Sequence, residues 1–173
     1  MKNDKALLII FLLLLIPLGF VGCVDDEDLG VYKSKFADIM VRFELQNERG
    51  ETTNVFKQGE NIVFRVVYEN NGDKRFPLTN KMLYPLFNVY TEEGTLIDKP
   101  WDSLMDSFEM KYVFPKSSYT VMCYWLTPPA GINSPFKKEY ERMPLSKGNY
   151  YSAFDIQSDD YKIIICKVNF TVE

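Results

Sequence analysis

The chain has 173 residues, 46% hydrophobic and 15% aromatic, with 20 basic against 24 acidic side chains and a net charge of −4. That is length and apolar content for one packed domain, and it excludes a disordered chain. The mild acidity leaves no electrostatic footprint for nucleic acid or anionic lipid, so neither is expected as a partner. There is no histidine, which excludes Ser-His-Asp and Cys-His nucleophile pairs and removes the commonest transition-metal ligand. No catalytic residue, metal or cofactor is expected, and the chain does not read as an enzyme.

Lys2 and Lys5 open the sequence, followed by the apolar run Ala6–Ile16 and then Pro17-Leu-Gly-Phe-Val-Gly22-Cys23. A basic start, an apolar centre and small residues before a cleavage point make residues 1–22 a secretory signal peptide. The alternative, a membrane-spanning anchor, needs roughly 20 apolar residues, more than this run supplies. Phe20-Val21-Gly22-Cys23 resembles the bacterial lipobox, in which the cysteine is lipidated and becomes the mature N-terminus. Lipidation at Cys23 would anchor the chain to a membrane, each buried CH₂ contributing about 0.8 kcal/mol. Cleavage there removes Lys2, Lys5 and Asp4, leaving 18 basic and 23 acidic side chains, net −5.

Val24-Asp25-Asp26-Glu27-Asp28 follows, and residues 23–36 read as a lipidated tether. An acidic stretch behind such a cysteine resembles the signal by which some Gram-negative anaerobes send lipoproteins to the outer face of the outer membrane. Outer-membrane, cell-surface display is therefore the expectation, with a periplasm-facing anchor as the alternative.

The folded domain is expected over 37–173. Ile39-x-Val41-x-Phe43-x-Leu45 alternates with polar residues, as in a strand with one buried face. The next strand, Ile62–Glu69, has Ile62, Phe64, Val66 and Tyr68 on one side and Val63 and Val67 among polar residues on the other. It reads as the centre of an antiparallel sheet and ends in the turn Asn70-Asn71-Gly72-Asp73. Pro77 confines Lys74–Leu78 to an edge or a bulge. Leu86–Tyr90 and Thr95–Ile97 flank Glu92-Glu93-Gly94 as a hairpin. Within Pro100–Met110, Trp101, Leu104, Met105 and Phe108 take one side and Asp102, Asp106 and Glu109 the other, a short amphipathic helix with a solvated acidic face. Tyr112–Phe114 and Ser118–Leu126 are strands split by Pro115.

Residues 127–143 form a proline-rich, charged excursion, and Tyr151–Ile156 and Tyr161–Val172 close the chain as strands. About eight short strands with regular turns specify an all-β fold, an antiparallel β-sandwich. Leu145-x-x-Gly148-x-Tyr150 resembles the tyrosine corner of immunoglobulin-like domains, where the tyrosine hydroxyl bonds to upstream backbone.

Beyond Cys23, two cysteines remain. Alternation turns Cys166 inward, while Cys123 lies where both strand faces are apolar. They form a candidate disulfide, worth about 3–4 kcal/mol by the chain-entropy argument, or stay two small buried hydrophobes.

The Phe56-x-x-Gly59-Glu60-x-Ile62-x-Phe64 stretch, Asn70-Asn-Gly72-Asp73 and Phe87-x-Val89-Tyr90-x-x-x-Gly94 resemble the intracellular proteinase inhibitor (BsuPI-like) domain. Trp101, Phe108, Phe114-Pro115, Trp125 and the corner at Leu145 follow in a similar order. The resemblance implies an immunoglobulin-like sandwich and, by the family's name, proteinase inhibition, but no reactive-site residue carries over. The chain departs from the pattern at Pro115-Lys116, where Pro-Gly is usual.

The leading functional expectation is a non-enzymatic surface lipoprotein that binds a protein or glycan through its loops. Pro128, Pro129, Pro135, Phe136 and Tyr140 in the 127–143 excursion are the candidate binding-loop residues. The alternatives are proteinase inhibition by that stiffened loop and glycan binding on Trp101 and Trp125, although the apolar neighbours of both tryptophans favour a place in the core. Glu92-Glu93 and Asp159-Asp160 are adjacent residues whose side chains diverge, so they do not form a catalytic pair.

Overall fold

Nine residues, seven of them buried, make Ile62–Asn70 the spine of the molecule. Strand β4 (Val63–Asn70) lies between β2 (Ile39–Gln46) and β9 (Ser117–Tyr124), antiparallel to both, and β1 (Val31–Phe36) completes the sheet in the order β1-β2-β4-β9. The computed structural model describes residues 31–36, 38–83, 86–98, 100, 111–126, 142–157 and 163–173. Residues 1–22, read as a signal peptide, Cys23, the stretch after Pro100 read as an amphipathic helix, with Trp101, the residues Pro128, Pro129, Pro135, Phe136 and Tyr140, and Asp159-Asp160 lie outside these.

A second sheet of five strands faces the first. Its order is β3 (Val55–Phe56), β11 (Ile163–Val172), β10 (Gly148–Gln157), β6 (Asn88–Thr91) and β7 (Leu96–Asp98). All its pairings are antiparallel except β3 with β11. A small ladder joins β5 (Phe76–Leu78) to β8 (Lys111–Val113), so Pro77 does sit outside the main sheets. A single helical turn, α1 (Asn80–Leu83), buries Met82 and Leu83. The fold is an all-β antiparallel sandwich.

Register explains which face is inside. Val41 opposes Tyr68, Phe43 opposes Val66 and Leu45 opposes Phe64, and all six are fully buried. Across the interior, Phe87 stacks on Phe43 (5.5 Å) and Phe64 (5.7 Å) and meets Phe154 edge-on (5.3 Å), tying the two sheets together. Each such pair adds about 0.5–1.5 kcal/mol beyond its burial.

Two polar side chains reach into this interior with their partners supplied. The Tyr68 hydroxyl donates to the Met82 carbonyl at 2.9 Å. Buried Asn70 donates to the carbonyls of Lys74 (2.7 Å) and Val113 (2.9 Å) and accepts from the Gly72 amide (2.9 Å), so the 70–73 turn is built on one amide side chain.

The outer face of the four-stranded sheet is also partly closed. Glu44 is 3% exposed and pairs with Arg65 and Arg42, while Val63 and Val67 are buried beside it. Long arginine stems cover apolar surface while their heads stay with the carboxylate.

The structure corrects one boundary. Strand β1 falls inside the stretch read as tether, because Tyr32 and Ser34 lie opposite Phe43 and Val41 while Lys33 and Lys35 take the other face. Only Tyr32 among them supplies an apolar signal, and lysines on an edge strand deter further pairing.

The tyrosine corner is present. Tyr150 donates its hydroxyl to the Ser146 carbonyl at 2.8 Å, and its ring stacks on Phe170. Gly148 has φ 155°, and a Cβ there would stand 3.6 Å from the same hydroxyl. At the Phe114–Ser117 turn, Lys116 occupies the left-handed region (φ 56°) that a Pro-Gly turn gives to glycine. Its Nζ donates to the Asn71 carbonyl at 2.6 Å, tying this turn to the 70–73 turn.

Candidate functional site

Antiparallel pairing places alternate residues of β6, β10 and β11 on the open face of the five-stranded sheet. Tyr151 stands opposite both Tyr90 and Asn169, Asn149 opposite Thr171, and Ala153 opposite Lys167 and Asn88. Asn149, Tyr151, Lys167, Asn169 and Thr171, with Asn54 and Glu92, line a concavity of about 390 Å³.

A three-part stack stands on this face beside the concavity. The Tyr90 and Tyr151 rings lie 4.9 Å apart at 15°, and Lys167 Nζ sits 4.0 Å from the centroid of Tyr151. Parallel stacking between adjacent strands requires the rings to stand upright on the sheet. Both faces of Tyr151 are thereby occupied, by a ring and by an ammonium, and edges and hydroxyls remain for a ligand. The cation–π contact, worth about 0.5–1 kcal/mol at an exposed site, pins Lys167 as a fixed donor.

Around the stack runs a polar chain. Asn149 Nδ2 donates to Glu92 Oε2 (3.1 Å) and its Oδ1 accepts from Thr171 Oγ1 (3.0 Å), while the Asn169 amide is exposed. The hairpin between β6 and β7 forms one wall. Gly94 there has φ +90°, and a Cβ on it would lie 3.7 Å from the Tyr151 hydroxyl. Beside it, the Thr91 hydroxyl and then local backbone hydrogen bonding hold Glu93 below the usual carboxylate range.

A second concavity, about 410 Å³, lies on the four-stranded sheet between Gln46, Asn47, Asn61, Val63, Met122 and Tyr124. Its amides are committed to the fold. Asn47 accepts from the Arg49 and Glu51 amides and donates to the Glu51 carboxylate, Asn61 accepts from the Leu126 amide, and Gln46 donates to Glu44. The five-stranded face keeps the Asn169 amide and the Lys167 side chain exposed and is the better candidate.

The residues singled out from the sequence fare differently. Trp125 is 3% exposed and donates Nε1–H to the Met143 carbonyl at 3.1 Å, packing near Phe64. It is a core residue, as its apolar neighbours in the sequence lead one to expect, and not a platform for a glycan; Trp101 lies outside the described residues. Cys123 and Cys166 are free thiols, not a disulfide. Each is buried within its own sheet, Cys123 opposite Phe64 and Cys166 opposite Phe154, and Cys123 Sγ–H is turned to the Pro100 carbonyl at 3.7 Å. Burial pushes both thiols up to about 12, with Arg142 slightly opposing the rise at Cys123 and Asp155 adding to it at Cys166. Such thiols are protonated and inert as nucleophiles. Glu92 joins the polar chain through Asn149, while Glu93 is hydrogen-bonded by Thr91.

The face itself was not anticipated. Its signal was the outward phase of two strands, Asn149-x-Tyr151 and Lys167-x-Asn169-x-Thr171, which becomes a site only once β10 and β11 are aligned.

No protein-family profile matches the chain, and no curated protein matches it. Among solved structures it is similar to the C-terminal domain of wzt (TM-score 0.45, 10% identity, covering 83% of this chain and 78% of that one). It is also similar to the structural-genomics target SoR45 (TM-score 0.34, 10% identity, 78% and 86%). A third is the PmoD soluble domain from Methylocystis sp. ATCC 49242 (Rockwell) (TM-score 0.33, 9% identity, 80% and 95%).

Proposed function

We propose that this chain is a non-enzymatic binding module, lipid-anchored at the bacterial outer membrane through Cys23, that binds its ligand on the open face of the five-stranded sheet. The observation that carries the reading is the outward set of Tyr151, Lys167, Asn149, Asn169 and Glu92 around one concavity. It concentrates fixed donors and acceptors without assembling a nucleophile and base. The buried, protonated thiols and the absence of histidine from the sequence support a binding role over catalysis.

The tyrosine corner and the two-sheet layering support an immunoglobulin-like reading of the sandwich and agree with the BsuPI-like resemblance. The lipobox-like Phe20–Cys23 and the acidic run behind it support export and surface display, with a periplasm-facing anchor as the alternative. Proteinase inhibition draws no support from the described residues. The test is photo-crosslinking in cells from position 169, with position 120 on the opposite sheet as control, in chains with and without Cys23.

A further inference from the structure

From the chemistry of the same face, and resting on the reading above, we infer that the ligand is a neutral oligosaccharide bound along β10 and β11. Three observations converge.

The first is charge. The described lining of the concavity carries one carboxylate, Glu92, and one ammonium, Lys167. They cancel, and each is already tied to a neighbour, Asn149 or the Tyr151 ring. An anionic or cationic ligand would meet no net complement. A neutral ligand would find two charged groups held in place for charge-assisted hydrogen bonds.

The second is the type of polar group. Asn149, Asn169 and Glu92 present planar side chains with paired donor or acceptor sites, and Thr171 and Tyr151 add hydroxyls. Adjacent sugar hydroxyls, each both donor and acceptor, are the complement of planar amides and carboxylates. Because the Tyr151 faces are filled, recognition here runs through hydrogen bonds at ring edges and hydroxyls rather than through stacking on an open ring.

The third is where the apolar surface lies. A protein interface places its apolar residues at the centre and its polar residues at the rim. Here the order is reversed. The exposed apolar residues on this sheet, Val55 (45%), Leu96 (42%), Ile97 (43%) and Ile165 (64%), sit on the two edge strands and near the start of β11, while amides, hydroxyls and the stacked tyrosines lie between them. A protein partner would have to desolvate the polar centre to reach scattered apolar anchors. An oligosaccharide lying across the strands meets only the polar centre.

The test is an amide NMR titration of the full-length lipidated protein in a non-glycosidic detergent. The probes are cellohexaose, maltohexaose, mannohexaose and xylohexaose, with an oligogalacturonate as the anionic comparison. At least one neutral hexasaccharide should shift the amides of Asn149, Tyr151, Lys167 and Asn169, leaving those of the four-stranded sheet in place. Asn169→Ala and Glu92→Ala alter exposed side chains and should each weaken binding by about tenfold or more, whereas Thr120→Ala should not. Three results overturn the inference: no response to any neutral probe, a response to the oligogalacturonate alone, or shifts centred on the other sheet. A crosslink from position 169 to a protein, together with silence toward every sugar, sinks this inference and leaves the binding-face reading intact. Silence in both experiments removes both.

Discussion

Alkaline pH should unfold this protein through two thiols. Cys123 and Cys166 are raised from the ordinary 9.0 to about 12, burial being the largest cause in each case. Below pH 9 both thiols are protonated in the folded and unfolded chain alike, and they impose no pH dependence. As pH rises above 9 the unfolded chain releases these protons while the folded chain keeps them. The unfolded state then binds fewer protons, and stability falls with pH until the folded thiols themselves ionise near 12.

One pKa unit is worth about 1.4 kcal/mol, so at pH 10 each thiol costs about 1.4 kcal/mol and the pair about 3, against a typical total of 5–15. Above pH 10, Tyr68 adds a loss of the same sign, since burial and then the neighbouring Cys166 hold its hydroxyl well above its usual value.

The assay is urea unfolding under reducing conditions at pH 8 and pH 10, for the wild type and for the Cys123→Ala/Cys166→Ala double variant. The double variant should be less stable at pH 8 because it loses buried volume. Its loss between the two pH values should be smaller than the wild type's by about 3 kcal/mol. Equal losses in the two proteins would refute the reasoning, since they would mean that the thiols are accessible to solvent or bridged.

Two further predictions test the corners that frame the sheets. Tyr150→Phe removes the hydrogen bond to the Ser146 carbonyl and should cost about 0.5–1.5 kcal/mol with an unchanged urea m-value; no change would mean that the corner is ornamental to stability. Gly72→Ala places a Cβ 2.7–2.8 Å from the Asp38 side chain, which must move together with the turn. It should destabilise by about 1–3 kcal/mol, and relief by Asp38→Gly in the same background would confirm the clash.

The inner faces were legible in the sequence because burial imposes a period of two. Phe64, Val66 and Tyr68 announce the central strand, and Ile164-x-Cys166-x-Val168-x-Phe170 announces the last one. The corner was legible because a tyrosine two residues after a glycine is a local device. Strand β1 was hidden because its alternation, Tyr32 and Ser34 against Lys33 and Lys35, is short and mostly polar and follows directly on the acidic run. Helix α1 was hidden because one turn has no helical periodicity to display; it is fixed by Tyr68 reaching the Met82 carbonyl from a distant strand.

The candidate site was the least legible part. Tyr90, Tyr151 and Lys167 come from three strands, and their stack depends on register between segments some 60 residues apart or nearer in the chain, as in Tyr151 opposite Tyr90. Trp125 was easier, because its apolar neighbours already pointed to the core, where its indole N–H serves the backbone at Met143. Outward aromatics are informative only when the sheet that carries them is known.

The central claim is that binding belongs to the open face of the five-stranded sheet on an envelope-anchored chain. It is tested most directly by placing a photo-crosslinking residue at Asn169 or at Thr120 and irradiating intact cells. The account predicts an adduct from position 169, none from position 120, and loss of the adduct when Cys23→Ser removes the anchor. An adduct from position 120 alone, or none from either position, would contradict it.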